Sequence, residues 1–298
     1  MQITLAPIPF YWSRDDVFSF YQQAADWPLD RICLGETICS KRREMKLEDW
    51  LEIGRMLTAK GKQVVLSTLA LIEAQAELKT LNRICQQDEF EVEANDLAAV
   101  EQCHQLGKPF SSGPYLNIYN STTLKLLADD GLQRWTLPIE LGESSLKGML
   151  AAIEQQQINI TTEVMVHGYL PLALSARCFT ARALDKPKDQ CDRICLDYPT
   201  GIEVTSSEQQ PLFTMNGIQT LSGDILDLRQ QLPQLRALGV DCIRISPSQF
   251  AMGQIINAYA DSHSGNYDTP TPPSSARSCN GYWFDEAGFV HHGFRLKP

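Results

Sequence analysis

The sequence predicts a (β/α)8 barrel with an insertion after the seventh strand. Three observations support this fold class. Short apolar or β-branched segments recur eight times, segments with helical periodicity lie between them, and the connections are short until the seventh strand. Alternating strands and helices predict a parallel sheet, and eight units predict closure into a barrel. An open, doubly wound sheet remains the alternative.

The predicted strands are short, as expected for strands buried on both faces. Their flanking turns separate them from the helical segments. They cover residues 3–7, 31–35, 64–69, 90–95, 110–118, 134–140, 160–167 and 240–246.

The helices between the strands are predicted from local signals. Ser13 and Asp16 form a capping box, and Leu47, Trp50 and Leu51 open an apolar face at helical spacing. Glycines at helix ends favour the left-handed conformation that terminates a helix. They occur just before the following strand at Gly61, Gly107, Gly131 and Gly239.

Two segments depart from this rhythm. Residues 179–210 are polar, rich in turn formers and poor in helical periodicity, which predicts an insertion that leaves the barrel after strand seven. The segment from 259 is rich in Pro, Ser and Asp. We therefore predict a barrel over residues 1–258, including the insertion, and an extended C-terminal segment over 259–298 that packs on the barrel.

Composition and charge exclude several classes of protein. The 298 residues are 43% hydrophobic and carry a net charge of -10, with 36 acidic against 26 basic residues. That charge disfavours nucleic-acid binding. No segment reaches the roughly 18 apolar residues of a membrane span, and the N-terminus does not resemble a secretion signal, so we expect a cytoplasmic protein.

Four of the nine cysteines are expected at one mouth of the barrel. Cys39 follows strand two, Cys178 follows strand seven, and Cys191 and Cys195 lie in the insertion. Their scattered spacing favours a [4Fe-4S] cluster over a structural zinc, which usually binds paired CxxC loops. Ordinary reduced thiols remain an alternative. The remaining cysteines suit small core positions, except Cys279, which is ambiguous.

Polar residues at the strand ends are candidates for substrate contact or catalysis. Glu163 and His167 could act as an acid and base pair, and Lys41 to Arg43 could receive an anion or offset the charge of a cluster. Mutual ion pairing and a solvated basic patch are the alternatives. The candidate catalytic residues are Glu36, Glu140, Glu163, His167 and Arg244.

Several motifs with known chemistry do not occur in the sequence. It contains no GxGxxG after the first strand, no GxxxxGK[ST], no HExxH and no GxSxG. Dinucleotide binding, nucleotide hydrolysis and the common hydrolase mechanisms are therefore without support.

The segment from Glu163 to Cys178, EVMVHGYLPLALSARC, resembles the signature of the collagenase-like peptidase family U32. It departs from that signature at Pro171, where the family has its first cysteine, and at Ser175 and Ala176, which replace a glycine. With these departures the chain resembles one subgroup of the family. Further resemblance to that subgroup lies in the segments LGETICSKRREM, KQVVLSTLAL, SARCFTAR, NGIQT and CNGYW.

The resemblance implies a specific role. Members of this subgroup bind a [4Fe-4S] cluster through four cysteines, which here would be Cys39, Cys178, Cys191 and Cys195. They form a heterodimer with UbiU, a second member of the family, for oxygen-independent hydroxylation in ubiquinone biosynthesis, with prephenate implicated as hydroxyl donor. A peptidase-like hydrolase and a non-catalytic partner with a structural cluster remain alternatives. Peptidase activity is not expected, because the sequence shows no constellation for peptide hydrolysis.

Overall fold

A computed structural model describes residues 1–248, 251–266 and 277–292. It confirms the barrel: eight parallel strands close on themselves, with helices between them. The strands of the described residues are β1 (Gln2–Leu5), β2 (Arg31–Leu34), β3 (Gln63–Ser67), β4 (Glu91–Ala94), β5 (Phe110–Ser112), β6 (Leu132–Thr136), β7 (Thr161–Leu174), β8 (Ile202–Thr205), β9 (Pro211–Asn216), β10 (Gln219–Asp227), β11 (Cys242–Ile245) and β12 (Ser278–Cys279).

The helices begin and end where local signals place them. Ser13 caps the first helix by accepting the N–H of Asp16 at 3.2 Å. The four predicted terminating glycines all have positive φ angles. The helices are α1 (Arg14–Ala24), α2 (Leu47–Ala59), α3 (Gln75–Gln86), α4 (Leu97–Gln105), α5 (Ser121–Asp129), α6 (Glu143–Gln155), α7 (Phe179–Ala183), α8 (Leu232–Ala237) and α9 (Met252–His263).

Strand β7 links the barrel to an antiparallel extension of the same sheet. Its first half pairs in parallel with β6 and β11 in the barrel. Its second half runs out of the barrel and pairs antiparallel with β10, which is followed outward by β9 and β8. Gly168, where β7 leaves the barrel, has a φ of +120°. A Cβ at this position would come within 2.5 Å of the Ser246 side chain, so only glycine fits here.

The insertion is more ordered than the sequence indicates. Residues 179–210, predicted without strands, contain α7 and β8, and the strands β9 and β10 follow directly after them. The predicted boundary at 258 falls inside α9, which ends at His263. Beyond it, β12 pairs with β10, and the middle of the predicted C-terminal segment, residues 267–276, lies outside the described residues.

The barrel interior contains a buried ionic network. Arg244 donates to Glu93 at 2.6 Å and to Glu163 at 2.9 Å. Burial alone would raise the pKa of Glu163, but the charges of Arg244 and Arg134 outweigh it and hold the pKa at about 2. Thr4 adds a hydrogen bond of 2.7 Å to the same carboxylate. Each charge is thus paired in the dry interior, where an unpaired charge would be costly.

No helix of the described residues combines the length and apolar character that a bilayer crossing requires.

Replacing Arg244 with Ala should lower the free energy of unfolding by about 3 to 5 kcal/mol, because two buried carboxylates lose their counter-charge. Urea unfolding followed by circular dichroism measures the change. Arg83→Ala is the control: it removes an exposed pair with Glu48 and should cost at most about 1 kcal/mol. Similar losses in both variants would contradict the importance of the interior network.

Candidate functional site

The four cysteines expected at the rim line one small cavity. All four are partly exposed, whereas the other five cysteines of the chain are buried. Their charges also interact: Cys178 influences the pKa of both Cys39 and Cys195. The structure therefore brings together the four thiols that the sequence selects.

The loop after β2 positions Cys39. The carboxylate of Glu36 accepts the backbone N–H groups of Ile38 at 2.8 Å and Cys39 at 3.0 Å, which folds the loop back on itself. The Arg42 N–H donates to the Cys39 carbonyl at 3.0 Å and closes the next turn. Glu36, a candidate catalytic residue, thus holds the backbone of a thiol-bearing loop.

Cys178 is held by the hairpin between β9 and β10. It caps α7, where its sulfur accepts the N–H of Ala181 at 3.4 Å. The hairpin residue Gly217 accepts the N–H of Phe179 at 2.8 Å, and its own N–H donates to the Thr180 hydroxyl at 2.8 Å. The long arm formed by β7 and β10 therefore carries both the thiol and the turn that orients it.

Arg42 joins the separate parts of the site. Its buried guanidinium donates to the Pro9 carbonyl at 2.9 Å and to the Asn216 side chain at 2.6 Å. It lies 3.6 Å from Glu36, and its charge opposes the rise that burial causes in the pKa of Cys195. One side chain thus connects the loop after β1, the loop after β2 and the hairpin, and acts electrostatically on the insertion.

Burial, a hydrogen bond and a buried cation all act on the thiols of this cavity. Burial raises the pKa of Cys39 to about 11 and raises that of Cys195, with Arg42 opposing both shifts. The Cys178 sulfur accepts the N–H of Ala181 at 3.4 Å. The Nε–H of Arg42 is buried without an acceptor among the described residues. Hydrogen bonds and cations of this kind stabilise clustered thiolates.

Over the described part of the chain, no group of three or more His, Cys, Asp or Glu residues is placed to hold a metal ion.

The basic residues after Cys39 differ in placement. Arg42 is buried at the site, as described above, whereas Arg43 is exposed. Lys41 lines the cavity and pairs with Asp189 at 2.9 Å. Part of this segment is therefore built into the site, and part of it faces solvent.

The other candidate catalytic residues do not join the thiols. Glu163 and Arg244 lie in the ionic network of the barrel interior. Glu140 is exposed in the loop after β6 and accepts the Tyr119 hydroxyl at 3.1 Å. The candidate catalytic residues thus lie in different environments.

The structure places Glu163 and His167 in different surroundings. The register between β7 and β11 shifts just before His167, which reverses the face that this residue presents. Its ring lies edge-on to Tyr259 of α9, with a centroid distance of 5.6 Å. Burial lowers the pKa of His167 to about 4, against the opposing charge of Asp227.

Two residues of the site, Asn216 and Gly217 of the NGIQT segment, were not predicted to belong to it. They form the turn that contacts Arg42 and α7. An Asn-Gly pair between β-branched and apolar residues is a strong hairpin signal, so the turn could have been recognised. Its contact with Arg42 could not, because 174 residues separate the two side chains.

Together, the fold and the site define a class of protein: a (β/α)8 barrel with a four-thiol cavity at its rim. The chain belongs to peptidase family U32, whose family model matches residues 16–263.

Solved structures resemble the chain at low sequence identity. The BexX/CysO complex of Amycolatopsis orientalis is 11% identical with a TM-score of 0.44, covering 93% of this chain and 95% of that one. Dihydropteroate synthase of Anaplasma phagocytophilum, solved with bound 6-hydroxymethylpterin-monophosphate, is 9% identical with a TM-score of 0.42, covering 89% and 98%. N-acetylneuraminate lyase of Fusobacterium nucleatum is 9% identical with a TM-score of 0.42, covering 89% and 78%. These likenesses carry no conclusion about activity.

Arg42→Met should lower the free energy of unfolding by about 3 kcal/mol, because buried acceptors and the Glu36 carboxylate lose their donor. Arg43→Met is a matched control on the adjacent, exposed position and should change stability by about 0.5 kcal/mol or less. Chemical unfolding of both variants measures the difference. Equal stability of the two variants would show that Arg42 does not hold the site together.

Titration of His167 should make stability depend on pH. The unfolded chain binds this proton near pH 6.5, but the folded chain binds it only near pH 4. The free energy of unfolding should therefore fall between pH 6.5 and 4, by at most about 3 kcal/mol from this group. His167→Leu should give a shallower pH slope, whereas His104→Leu, at an exposed position, should retain the slope of the unmodified chain. Identical slopes for all three proteins would contradict the assignment.

Proposed function

We propose that the chain is the iron–sulfur subunit of a complex for oxygen-independent hydroxylation of the ubiquinone ring, with prephenate as the hydroxyl donor. In this proposal it corresponds to UbiV (YhbV) and works as a heterodimer with UbiU. The single observation that carries the proposal is the cavity shared by Cys39, Cys178, Cys191 and Cys195. These are the four positions that the resemblance selects as ligands.

The four cysteines would hold a [4Fe-4S] cluster, which supplies a redox-active iron centre when bound. Their sulfurs must bind as thiolates, so loading releases protons from the thiols, including those of Cys39 and Cys195 with raised pKa values. Arg42 and Lys41 offset the negative charge of the thiolates from the cavity wall. The N–H groups of Lys41 and Ala181 orient two of the sulfurs.

Membership of a peptidase family does not favour hydrolysis by these thiols. A cysteine nucleophile needs a lowered pKa, whereas burial raises the pKa of Cys39 and Cys195. The surroundings therefore support metal binding better than nucleophilic attack.

Cys191→Ala should lose most of the iron and acid-labile sulfide of the protein when purified anaerobically with UbiU, because the cluster loses one of four ligands. Anaerobic ubiquinone synthesis should fall with it, while aerobic synthesis remains. Metal analysis, visible absorption and quinone extraction measure these effects. Cys85→Ala is the control, since Cys85 is buried in α3; it should keep its iron at a packing cost of about 1 kcal/mol.

Two outcomes would contradict the proposal. A colourless protein with one zinc would exclude the cluster. Equal loss of aerobic and anaerobic ubiquinone in Cys191→Ala would exclude the pathway. Peptide hydrolysis that survives Cys39→Ala and Cys178→Ala would instead support the peptidase alternative.

A further inference from the structure

A second cavity, which we call the outer cavity, borders the thiol cavity at Cys178 and opens to solvent. It holds about 350 Å³, within the roughly 300 to 1,000 Å³ typical of ligand sites. Cys178 lines both cavities, whereas the other three thiols of the site line the thiol cavity alone. The remaining lining residues of the outer cavity are Arg177, Arg182, Asp185, Lys186 and Pro187. Space for a small molecule thus lies beside one of the four thiols.

The turn after α7 forms one wall of the outer cavity. The backbone N–H of Lys186 donates to the Ala181 carbonyl at 2.8 Å, and that of Asp185 donates to the Arg182 carbonyl at 3.1 Å. Asp185 has a φ of +53°, in the left-handed region where helices commonly end. These contacts fold the chain back against α7, so residues from the helix and from the turn line the same space as Arg177, which precedes the helix.

Two cations of the lining have no partner among the described residues. The guanidinium groups of Arg177 and Arg182 are exposed and make no hydrogen bond or ion pair there. Lys186, in contrast, pairs with Asp192 at 3.0 Å. Asp185 contributes one carboxylate to the lining, so two guanidinium groups and one carboxylate leave a net positive charge. A guanidinium presents its N–H donors as a planar fork that matches the oxygens of a carboxylate or a phosphate.

Exposed arginines elsewhere on the molecule have carboxylate partners. Arg14 of α1 pairs with Asp49 at 2.8 Å, and Arg55 of α2 pairs with Glu89 at 2.7 Å. The chain as a whole carries a net charge of -10, so it repels anions at long range. Any attraction of an anion to the outer cavity must therefore come from the cations that line it, which act over about one Debye length.

We propose that the outer cavity binds a small molecule with two negative charges on oxygen atoms, held by the guanidinium groups of Arg177 and Arg182. The inference goes beyond the proposed function and does not depend on it, because the groups that hold the anion are not thiols and need no cluster. Carboxylates and phosphates share this chemistry. Malonate, with two carboxylates, and hydrogen phosphate are the probes for the two sources, and malonamide is the uncharged counterpart of malonate.

The test is isothermal titration calorimetry on the full-length chain, purified anaerobically, at constant ionic strength and at a pH where both probes are dianions. At least one dianion should bind saturably, and malonamide should not bind. Arg177→Gln and Arg182→Gln should each weaken binding about fivefold, the upper range for one exposed ion pair. Arg55→Gln removes the same charge from α2 and is the matched control, with unchanged affinity expected. Thermal unfolding shows that each variant is folded.

Asp185→Asn gives a second, opposite expectation. Removing this carboxylate from the lining should tighten binding about twofold, because it no longer repels the anion. A merely structural role of the two arginines would not produce this gain. Whichever dianion binds more tightly identifies the carboxylate or the phosphate as the preferred group.

Three results would overturn the anion site. They are the absence of saturable binding by both dianions, equally tight binding of malonamide, and a loss in Arg55→Gln as large as that in Arg177→Gln and Arg182→Gln. The iron content of Cys191→Ala, which tests the cluster, enters none of these criteria. Failure of either proposal is therefore recognised separately from failure of the other.

Discussion

The buried guanidinium of Arg42 is the contact on which the four-thiol cavity depends. A cation in a dry environment must be surrounded by acceptors, and here they come from Pro9, Glu36 and Asn216. These groups belong to three segments that are distant in sequence. Since the cation cannot lose one of them cheaply, it fixes their relative positions. The cavity is consequently a property of the folded rim and of no single local motif.

The same contacts extend from the thiol cavity to the mouth of the barrel. Arg42 holds Asn216, whose amide donates to Gln219 at 3.3 Å, and Gln219 donates to Tyr115 in the segment after β5. Four hydrogen-bonded side chains therefore connect the thiol cavity with the segment after β5. A change at one end alters hydrogen bonds that the other end shares, which makes the hairpin between β9 and β10 the structural link between them.

The sequence predicted the barrel well because its signals are local. Strand segments, the Ser13 cap and the terminating glycines each depend on a few neighbouring residues. The convergence of the four cysteines was also predictable, since parallel strands bring their following loops to one rim. The extension of β7 and the strands β8 and β9 were missed, because these are half-exposed strands with mixed polarity.

The position of His167 could not be predicted for a different reason. Alternation along a regular strand would put Glu163 and His167 on the same face, but one irregularity in the β7 pairing reverses it. No residue between them signals a bulge. The contact between Arg42 and Asn216 was equally hidden, because nothing in either segment specifies the other. Tertiary contacts of this kind decide the site after local structure has been settled.

The two charged regions of the molecule differ in how they could respond to a new negative charge. Arg42 and Lys41 each pair with one carboxylate and also line the thiol cavity, so they can offset part of the charge when the thiols ionise. In the barrel interior, Arg244 already pairs with both Glu93 and Glu163, so this network has little means of compensating a further charge. A charged centre is therefore accommodated at lower cost beside the thiols than among the buried ion pairs of the barrel.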